Sequence, residues 1–192
     1  MSICGENKAL LSKFWYPIQM IETIVFGGGC FWCTEAIFKM LKGVESVEPG
    51  YAGGTTANPS YRQLGDHAEV VKIELNPAKI EISDLLTVFF ATHDPTTPNQ
   101  QGADIGAQYR SLILFTTPKQ ETVSRKFIEE LNDSAEYGDP IVTEIKPLEK
   151  FFLAEIEHLN YYQRNQKTGY CQVVINPKLQ KVKTKFAQLL AE

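Results

Sequence analysis

Three consecutive glycines, residues 27–29, separate two apolar segments of different pattern. The segment before them, residues 21–26, is a short apolar run that predicts a buried strand, whereas residues 34–41 place their apolar side chains on one helical face. A glycine run at such a junction favours an abrupt turn between the two elements. The chain is therefore restricted to folds in which a buried strand leads directly into a helix.

Cys30 follows the third glycine and lies near the start of the predicted helix. The first N–H groups of a helix lack intrahelical partners, and together with the helix macrodipole they favour a negative charge. We therefore expect a lowered pKa for the Cys30 thiol, and the thiolate is the form that attacks electrophiles. Phe31 and Trp32 beside it indicate a substrate with an apolar group, and Cys33 completes a Cys-x-x-Cys pattern.

Strand-like and helix-like segments follow one another in the order β-α-β-β-α-β, with additions at the C-terminal end. This order predicts an α+β fold, a two-layer α/β sandwich with a ferredoxin-like split βαβ core, long functional loops and an extended C-terminal segment. The strands are predicted at residues 21–26, 44–47, 69–75, 111–115 and 141–145. The helices are predicted at residues 34–41, after a cap at Ser83, and at 118–131, 151–165 and 178–190.

The composition indicates a globular chain. Of its 192 residues, 43% are hydrophobic and 22% are charged, which allows one domain with a substantial core. The net charge of −4 gives no electrostatic reason to expect nucleic acid or an anionic membrane as a partner, and no apolar run approaches the roughly 20 residues that cross a bilayer. We expect one domain over residues 20–192, preceded by a non-catalytic extension, residues 1–19, without a secretory signal.

The cysteines indicate redox chemistry. The chain has four of them, Cys4, Cys30, Cys33 and Cys171, too few and too unevenly spaced for a disulfide scaffold. Together with the Cys-x-x-Cys pattern they favour reduced thiols in a cytoplasmic protein. Cys4 lies in the N-terminal extension and is expected to take no part.

The glycine–cysteine segment, residues 27–33, could also belong to a nucleotide-binding loop, a zinc site or a disulfide oxidoreductase. The glycines lack the spacing of a nucleotide-binding loop, and Cys30 and Cys33 lack a second Cys/His pair with zinc-ligand spacing, so neither a cofactor nor a metal is expected. A thioredoxin-like CxxC disulfide oxidoreductase is the main alternative. In that class an aromatic residue usually precedes the first cysteine, whereas here Phe31 and Trp32 lie between the two.

Several further motifs follow Gly-Cys-Phe-Trp-Cys-Thr-Glu at residues 29–35. They are Gly-Tyr-Ala-Gly-Gly at 50–54, Asn-Pro-x-Tyr at 58–61, His-Ala-Glu at 67–69, His-Asp-Pro-Thr-Thr-Pro-Asn at 93–99 and Gln-Gly-x-Asp-x-Gly-x-Gln-Tyr-Arg-Ser at 101–111. In content and order they resemble the motifs of the peptide methionine sulfoxide reductase A family. The resemblance implies an enzyme that reduces the S epimer of methionine sulfoxide, in proteins or free, and that is recycled by thioredoxin or a similar dithiol.

The resemblance also implies roles for the reacting groups. Cys30 matches the nucleophile that attacks the sulfoxide sulfur, and Glu69 matches the acid that protonates the departing oxygen. Tyr61 and Tyr109 match the two hydroxyls that hold this oxygen. A sulfoxide is a poor electrophile until its oxygen gains a proton or strong hydrogen bonds, and burial of Glu69 among aromatic side chains would raise its pKa and keep it protonated near neutral pH.

Further matched positions concern the substrate and the recycling of the enzyme. Phe31 and Trp32 match the pocket for the methyl group, and Asp104 matches a residue that contacts the substrate or fixes the site. Attack by Cys30 leaves a sulfenic acid, which a second thiol must resolve. Cys171 matches the C-terminal recycling cysteine, brought to the site by a mobile tail, whereas Cys33 is the alternative because it is close in sequence. Both orders of the disulfide relay remain open.

Overall fold

A mixed β-sheet lies at the centre of the molecule, which a computed structural model describes over residues 20–191. The strands in this part are β1 Glu22–Gly28, β2 Val44–Ala52, β3 Ala68–Leu75, β4 Gln100–Gln101, β5 Asp104–Ile105, β6 Ser111–Phe115, β7 Glu144–Pro147 and β8 Phe151–Leu153. The α-helices of the same part are α1 Phe31–Phe38, α2 Ile82–Thr92, α3 Pro118–Ser134, α4 Tyr161–Asn165 and α5 Asn176–Lys185. The main sheet of these residues has the order β7-β6-β1-β3-β2-β8, in which β6 and β7 are parallel and the other neighbours antiparallel.

The main core lies between one face of this sheet and the helices. Successive residues of a strand face opposite sides. Ile24 and Phe26 of β1 accordingly join a large apolar cluster with α1, α2 and α5, whereas Val25 joins a smaller cluster on the other face. The ring of Phe26 stacks on that of Phe89 in α2, with centroids 4.6 Å apart. The described residues thus form a mixed α/β fold whose sheet is covered by helices on the face of the main core.

The strand at residues 111–115 is confirmed as β6, whereas other strands differ from the prediction. The strand expected at residues 141–145 begins later, as β7, because the N–H of Val142 bonds to the backbone oxygen of Pro95 instead.

β2 continues well beyond the predicted residues 44–47. Gly50 permits this, because a Cβ at this position would lie 2.3 Å from the backbone oxygen of Phe152 in β8. The segment 151–165 was expected to be one helix, but its first, aromatic residues pair with the end of β2 as β8 and its helical part is α4.

The ends of two helices also differ from the prediction, because side-chain caps and turns determine where these helices begin and end. The cap expected at Ser83 is instead Glu81, whose N–H donates to Asp84 Oδ2 at 3.1 Å within a capping box. The C-terminal helix, expected at residues 178–190, ends earlier as α5 and continues in a short 3-10 turn, Ala187–Leu189. Within residues 20–191, none of the helices has the length and apolar character needed to cross a membrane.

The site is built at the edge where β1 ends and β3 begins. These ends are neighbours because the two strands are antiparallel, and a Cβ at Gly27 would lie 3.2 Å from the backbone oxygen of Glu69. Gly29 then adopts a φ of +90°, a conformation that glycine reaches at little cost, and the chain enters α1. Cys30 at the helix start and Glu69 at the strand start are thus brought to one edge of the sheet.

Gly29→Ala is expected to destabilise the protein by about 2 kcal/mol or more, because a side chain is unfavourable at this positive φ. In addition, its Cβ would lie 2.5 Å from Gln101 Cγ. Gly102→Ala is the matched control, since Gly102 also has a positive φ, +60°, but a Cβ there would meet nothing within 4 Å. Urea unfolding should show a clearly smaller loss for the control; equal losses would contradict the packing requirement at Gly29.

Candidate active site

Cys30 is the N-cap residue of α1 and is 8% exposed. Its backbone oxygen accepts the N–H of Cys33 at 3.1 Å, which closes the first turn of the helix. The next N–H, that of Phe31, is free of intrahelical partners and donates to Glu69 Oε2 at 3.1 Å. A thiol and a carboxyl group therefore flank the first peptide of the helix.

The two cysteines of the pair share one hydrogen bond, which sets their acidities. Because Cys30 donates and Cys33 accepts, this bond raises the pKa of Cys30 above its ordinary value, and burial and the charges of Cys33 and Glu69 raise it further. The same bond lowers the pKa of Cys33 to about 7, with a contribution from the charge of Lys178. The expectation of a lowered pKa at Cys30 is therefore wrong for the reduced pair. Of the two thiols, Cys33 is the one that ionises more readily.

Glu69 lies in β3 and is 3% exposed. Burial raises its pKa to about 7, although the N–H of Phe31 opposes the shift, and the charges of Asp104 and Cys33 add to it. This direction agrees with the expectation for a buried glutamate. At neutral pH the carboxyl group is therefore present in both its protonated and its ionised form.

Tyr61 and Tyr109 approach this carboxyl group from different loops. Tyr109 ends a 3-10 turn, Ala107–Tyr109, before β6, and Tyr61 lies in the loop between β2 and β3 and is 42% exposed. Burial raises the pKa of both tyrosines, that of Tyr109 to about 12, and the charge of Glu69 is the next cause for each. Both hydroxyls consequently remain protonated and able to donate near neutral pH.

Aromatic side chains form one wall of the site. Phe31 is 1% exposed, and its ring lies 5.9 Å from the ring of Tyr51 and 6.4 Å from that of Tyr61. Trp32 is stacked on Tyr161 of α4, with centroids 3.6 Å apart and planes within 6°. The structure thus brings Phe31 and Trp32 into a continuous aromatic surface next to Cys30.

Glu155 and His158 support this wall, although neither is among the site residues predicted from the sequence. Glu155 accepts the hydroxyl of Tyr51 at 2.6 Å and the backbone N–H of Tyr61 at 2.9 Å. Burial alone would raise the pKa of Glu155, but these hydrogen bonds lower it. His158 Nδ1 accepts the indole N–H of Trp32 at 3.2 Å. A local sequence pattern could not identify either residue, because their partners Tyr51, Tyr61 and Trp32 are distant in sequence.

Arg110 is a further supporting residue. It lies inside the motif at residues 101–111, but no role was predicted for it. Its guanidinium donates to the backbone oxygens of Ala107 at 2.8 Å, Gly53 at 3.0 Å and Asp66 at 3.2 Å. These oxygens belong to the turn that ends at Tyr109 and to both ends of the loop between β2 and β3. Arg110, 8% exposed, therefore fixes the loops that carry the two site tyrosines.

The C-terminal segment reaches the site through Tyr170. Its hydroxyl donates to Asp104 Oδ2 at 3.2 Å and lies 3.8 Å from Cys33 Sγ. The next residue, Cys171, begins a π-helical turn, Cys171–Ile175, and is fully buried. The expected mobile tail is thus a packed helical segment in this structure. The described cysteines, residues 30, 33 and 171, are all free thiols, and Cys4 lies outside the described residues.

One cavity in the described part of the chain lies away from this cluster. A cavity of about 590 Å³ lies between α2, α3 and α5, and its lining includes Phe90, Phe127 and Lys181 but none of the predicted site residues. Within residues 20–191, His, Cys, Asp and Glu side chains form no group of three or more that could hold a metal ion. The side chains that meet at this site supply thiols, a carboxyl group and hydroxyls.

Comparison with known proteins supports the same chemistry. A family model described as peptide methionine sulfoxide reductase matches residues 22–190. The peptide methionine sulfoxide reductase MsrA of Haloquadratum walsbyi is 53% identical over 175 residues, which cover 89% of this chain and 99% of that protein.

Solved structures agree in fold. Methionine sulfoxide reductase A of Corynebacterium diphtheriae is 33% identical with a TM-score of 0.73, covering 77% of this chain and 76% of that one. Mxr1 from Saccharomyces cerevisiae in complex with Trx2 is 27% identical with a TM-score of 0.55, covering 78% of this chain and 90% of that one. With a family model over nearly all of the described residues and a relative that is similar along its full length, this chain belongs to the peptide methionine sulfoxide reductase family.

Proposed function

We propose that this oxidoreductase reduces methionine S-sulfoxide, in proteins, peptides and the free amino acid, through the thiol of Cys30. Membership of the family supports the sulfoxide as substrate, and the complex of Mxr1 with Trx2 supports a thioredoxin as the protein that returns the enzyme to its reduced state. The S epimer follows from the resemblance of the motifs. The observation that carries the mechanism is the buried carboxyl group of Glu69, bonded to the N–H that follows Cys30.

In the reductase step, the proton of Cys30 passes along the shared hydrogen bond to the Cys33 thiolate. The Cys30 sulfur then attacks the sulfoxide sulfur, while the protonated carboxyl of Glu69 gives its proton to the sulfoxide oxygen. Tyr61 and Tyr109 donate hydrogen bonds to this oxygen, where charge develops. The S–O bond breaks, the oxygen takes a second proton and leaves as water, and Cys30 is then bonded to a positively charged substrate sulfur. Water attacks the Cys30 sulfur, and the S–S bond breaks with its electron pair on the substrate sulfur. The products are a thioether, a Cys30 sulfenic acid and a proton.

The walls of the site orient the substrate for this attack. The rings of Phe31 and Trp32 offer an apolar surface to the methyl group on the sulfoxide sulfur, and the bond from Trp32 to His158 fixes the indole plane. Asp104 is proposed to fix the site through its bond with Tyr170. Its negative charge also contributes to the raised pKa of Glu69, and so keeps more of the acid protonated.

Cys33 is proposed to resolve the sulfenic acid first, because its sulfur is already hydrogen-bonded to that of Cys30, whereas Cys171 is buried. The Cys33 sulfur attacks Cys30, a Cys30–Cys33 disulfide forms and water leaves. The Cys171 thiolate then attacks the Cys33 sulfur and releases Cys30 as a thiolate. A thioredoxin dithiol finally reduces the Cys33–Cys171 disulfide and is itself oxidised.

The proposal also includes the topology of the core, the bounds of the domain and the location of the protein. We propose that the strands β6-β1-β3-β2, with α1 and α2 as connections, correspond to a two-layer, ferredoxin-like split βαβ core. We propose one domain over residues 20–192, a non-catalytic role for residues 1–19, and a cytoplasmic location in which the thiols stay reduced. A thioredoxin-like CxxC disulfide oxidoreductase is not favoured, because the family model and the relatives describe a sulfoxide reductase.

The purified protein with dithiothreitol is expected to reduce a peptide that contains methionine S-sulfoxide and to leave the R epimer unchanged. Cys30→Ser should lose this activity entirely, because it lacks the nucleophile, whereas Cys4→Ser should retain it. Chiral separation of the remaining sulfoxide measures the outcome. If neither epimer is consumed while insulin disulfides are reduced, the alternative disulfide oxidoreductase is the better description.

The pH dependence of the single-turnover reductase rate tests Glu69. Cys33 must be ionised to accept the Cys30 proton, and Glu69 must be protonated to donate one. The rate should therefore rise as Cys33 ionises, reach a maximum near pH 7 and fall as the pH rises through the Glu69 pKa of about 7. Glu69→Gln should be slower by about 100-fold near neutral pH, the size of a general-acid contribution, and should lack the alkaline decline. Glu74→Gln, in the same strand, is the control and should keep the decline; an unaltered profile in Glu69→Gln would exclude acid catalysis by this residue.

Mass mapping after one equivalent of sulfoxide, without reductant, tests the order of the relay. Cys171→Ser should accumulate the Cys30–Cys33 disulfide and keep single-turnover reduction, but lose thioredoxin-dependent recycling. Cys33→Ser should accumulate a Cys30 sulfenic acid that dimedone traps, because Cys171 is buried. If a Cys30–Cys171 disulfide formed in Cys33→Ser as fast as the unsubstituted protein is oxidised, Cys171 rather than Cys33 would be the first to resolve the sulfenic acid.

A further inference from the structure

Tyr170 is the residue through which the C-terminal segment contacts the reacting groups. Its hydroxyl lies between Asp104 Oδ2, at 3.2 Å, and Cys33 Sγ, at 3.8 Å. We refer to these two contacts as the Tyr170 bridge. The ring is also in edge contact with Trp32, with centroids 5.8 Å apart and planes at 82°. Two other segments of the site, α1 and β5, therefore contact the side chain directly before Cys171.

The protons of the Tyr170 bridge depend on the redox state of Cys33. A tyrosine hydroxyl has one hydrogen to donate, and Asp104 accepts it. A Cys33 thiol can add to this arrangement by donating its own hydrogen to the hydroxyl oxygen, and a Cys33 thiolate can attract the hydroxyl as a charged acceptor. In a Cys30–Cys33 disulfide the Cys33 sulfur has neither a hydrogen nor a charge, so this half of the bridge is lost.

Cys171 must leave its position before it can react. It is fully buried, and its N–H approaches Thr168 Oγ1 at 3.4 Å. A disulfide requires a sulfur–sulfur distance of about 2.05 Å, and a protein dithiol can only reduce a disulfide that it can reach. The π-helical turn at Cys171–Ile175 is a geometry that occurs often at functional positions. Access to Cys171 therefore depends on what holds this turn in place.

We propose that Tyr170 is a positioning residue that keeps Cys171 buried while Cys33 is reduced and releases it once Cys33 enters a disulfide. The inference rests on the proposed function, in which the Cys30–Cys33 disulfide precedes the reaction of Cys171. Its consequence is an ordered relay. Cys171 becomes available only after Cys33 has reacted, so it neither competes for the sulfenic acid nor forms disulfides in the resting enzyme.

Hydrogen–deuterium exchange of residues 169–175, followed by mass spectrometry, measures this release. Cys171→Ser serves as the parent, because its relay stops at the Cys30–Cys33 disulfide. In the parent, exchange of this segment should be slow in the reduced state and roughly tenfold faster after one equivalent of sulfoxide, as expected for loss of a hydrogen bond to a charged group. Tyr170→Phe in the same parent keeps the ring and should already exchange fast before oxidation.

Tyr162→Phe is the matched control. Its hydroxyl donates to Asn176 Oδ1 at 2.8 Å, at the start of α5, and takes no part in the Tyr170 bridge. In the Cys171→Ser parent it should therefore keep the slow exchange of the reduced state and the acceleration on oxidation. The control separates the bridge from the general effect of removing a hydroxyl near this segment.

Two results would overturn the inference. One is unchanged exchange of residues 169–175 in the parent although mass mapping shows the Cys30–Cys33 disulfide. The other is slow exchange of these residues in the reduced Tyr170→Phe variant. If this variant does not fold, the comparison of reduced and oxidised parent protein tests the inference by itself. If no sulfoxide is consumed, the proposed function fails instead, and the disulfide is then formed with diamide so that the Tyr170 bridge is still tested.

Discussion

The hydrogen bond from the N–H of Phe31 to the carboxyl group of Glu69 is the interaction on which the site depends. It joins the first turn of α1 to the start of β3, and so fixes the helix that carries Cys30 against the strand that carries the acid. The bond uses an N–H that a helix leaves without a partner. Burial raises the pKa of Glu69 to about 7, and this bond opposes the rise. The contact thus fixes the geometry of the site and limits how far the acidity of Glu69 is weakened.

Tyr61 and Tyr109 lie on loops, and the polar residues Arg110 and Glu155 hold these loops in place. Arg110 binds backbone oxygens from two loops, and Glu155 binds the backbone N–H of Tyr61. Both contacts are charge-assisted, which makes them stronger than bonds between neutral groups. Tyr61 and Tyr109 are therefore positioned by the backbone of their loops, and their hydroxyls stay free for a substrate.

Local sequence patterns could predict Cys30 at a helix start, Glu69 at a strand start and the bounds of β6, because each depends on neighbours in the chain. The acidity of Cys30 could not be predicted in the same way, since it depends on which sulfur donates the hydrogen bond within the pair. Glu155 and Tyr170 were not identified either. Their partners are distant in sequence, and only the folded chain brings them together.

The burial of the described thiols also affects how they react with oxidants. Hydrogen peroxide reacts with exposed thiolates and can carry a cysteine past the sulfenic acid to an irreversible sulfinic acid. Cys30 is 8% exposed, and its hydrogen bond to Cys33 keeps it in the less reactive thiol form until that proton is withdrawn. Both features disfavour direct oxidation of Cys30 by peroxide while the two thiols are reduced.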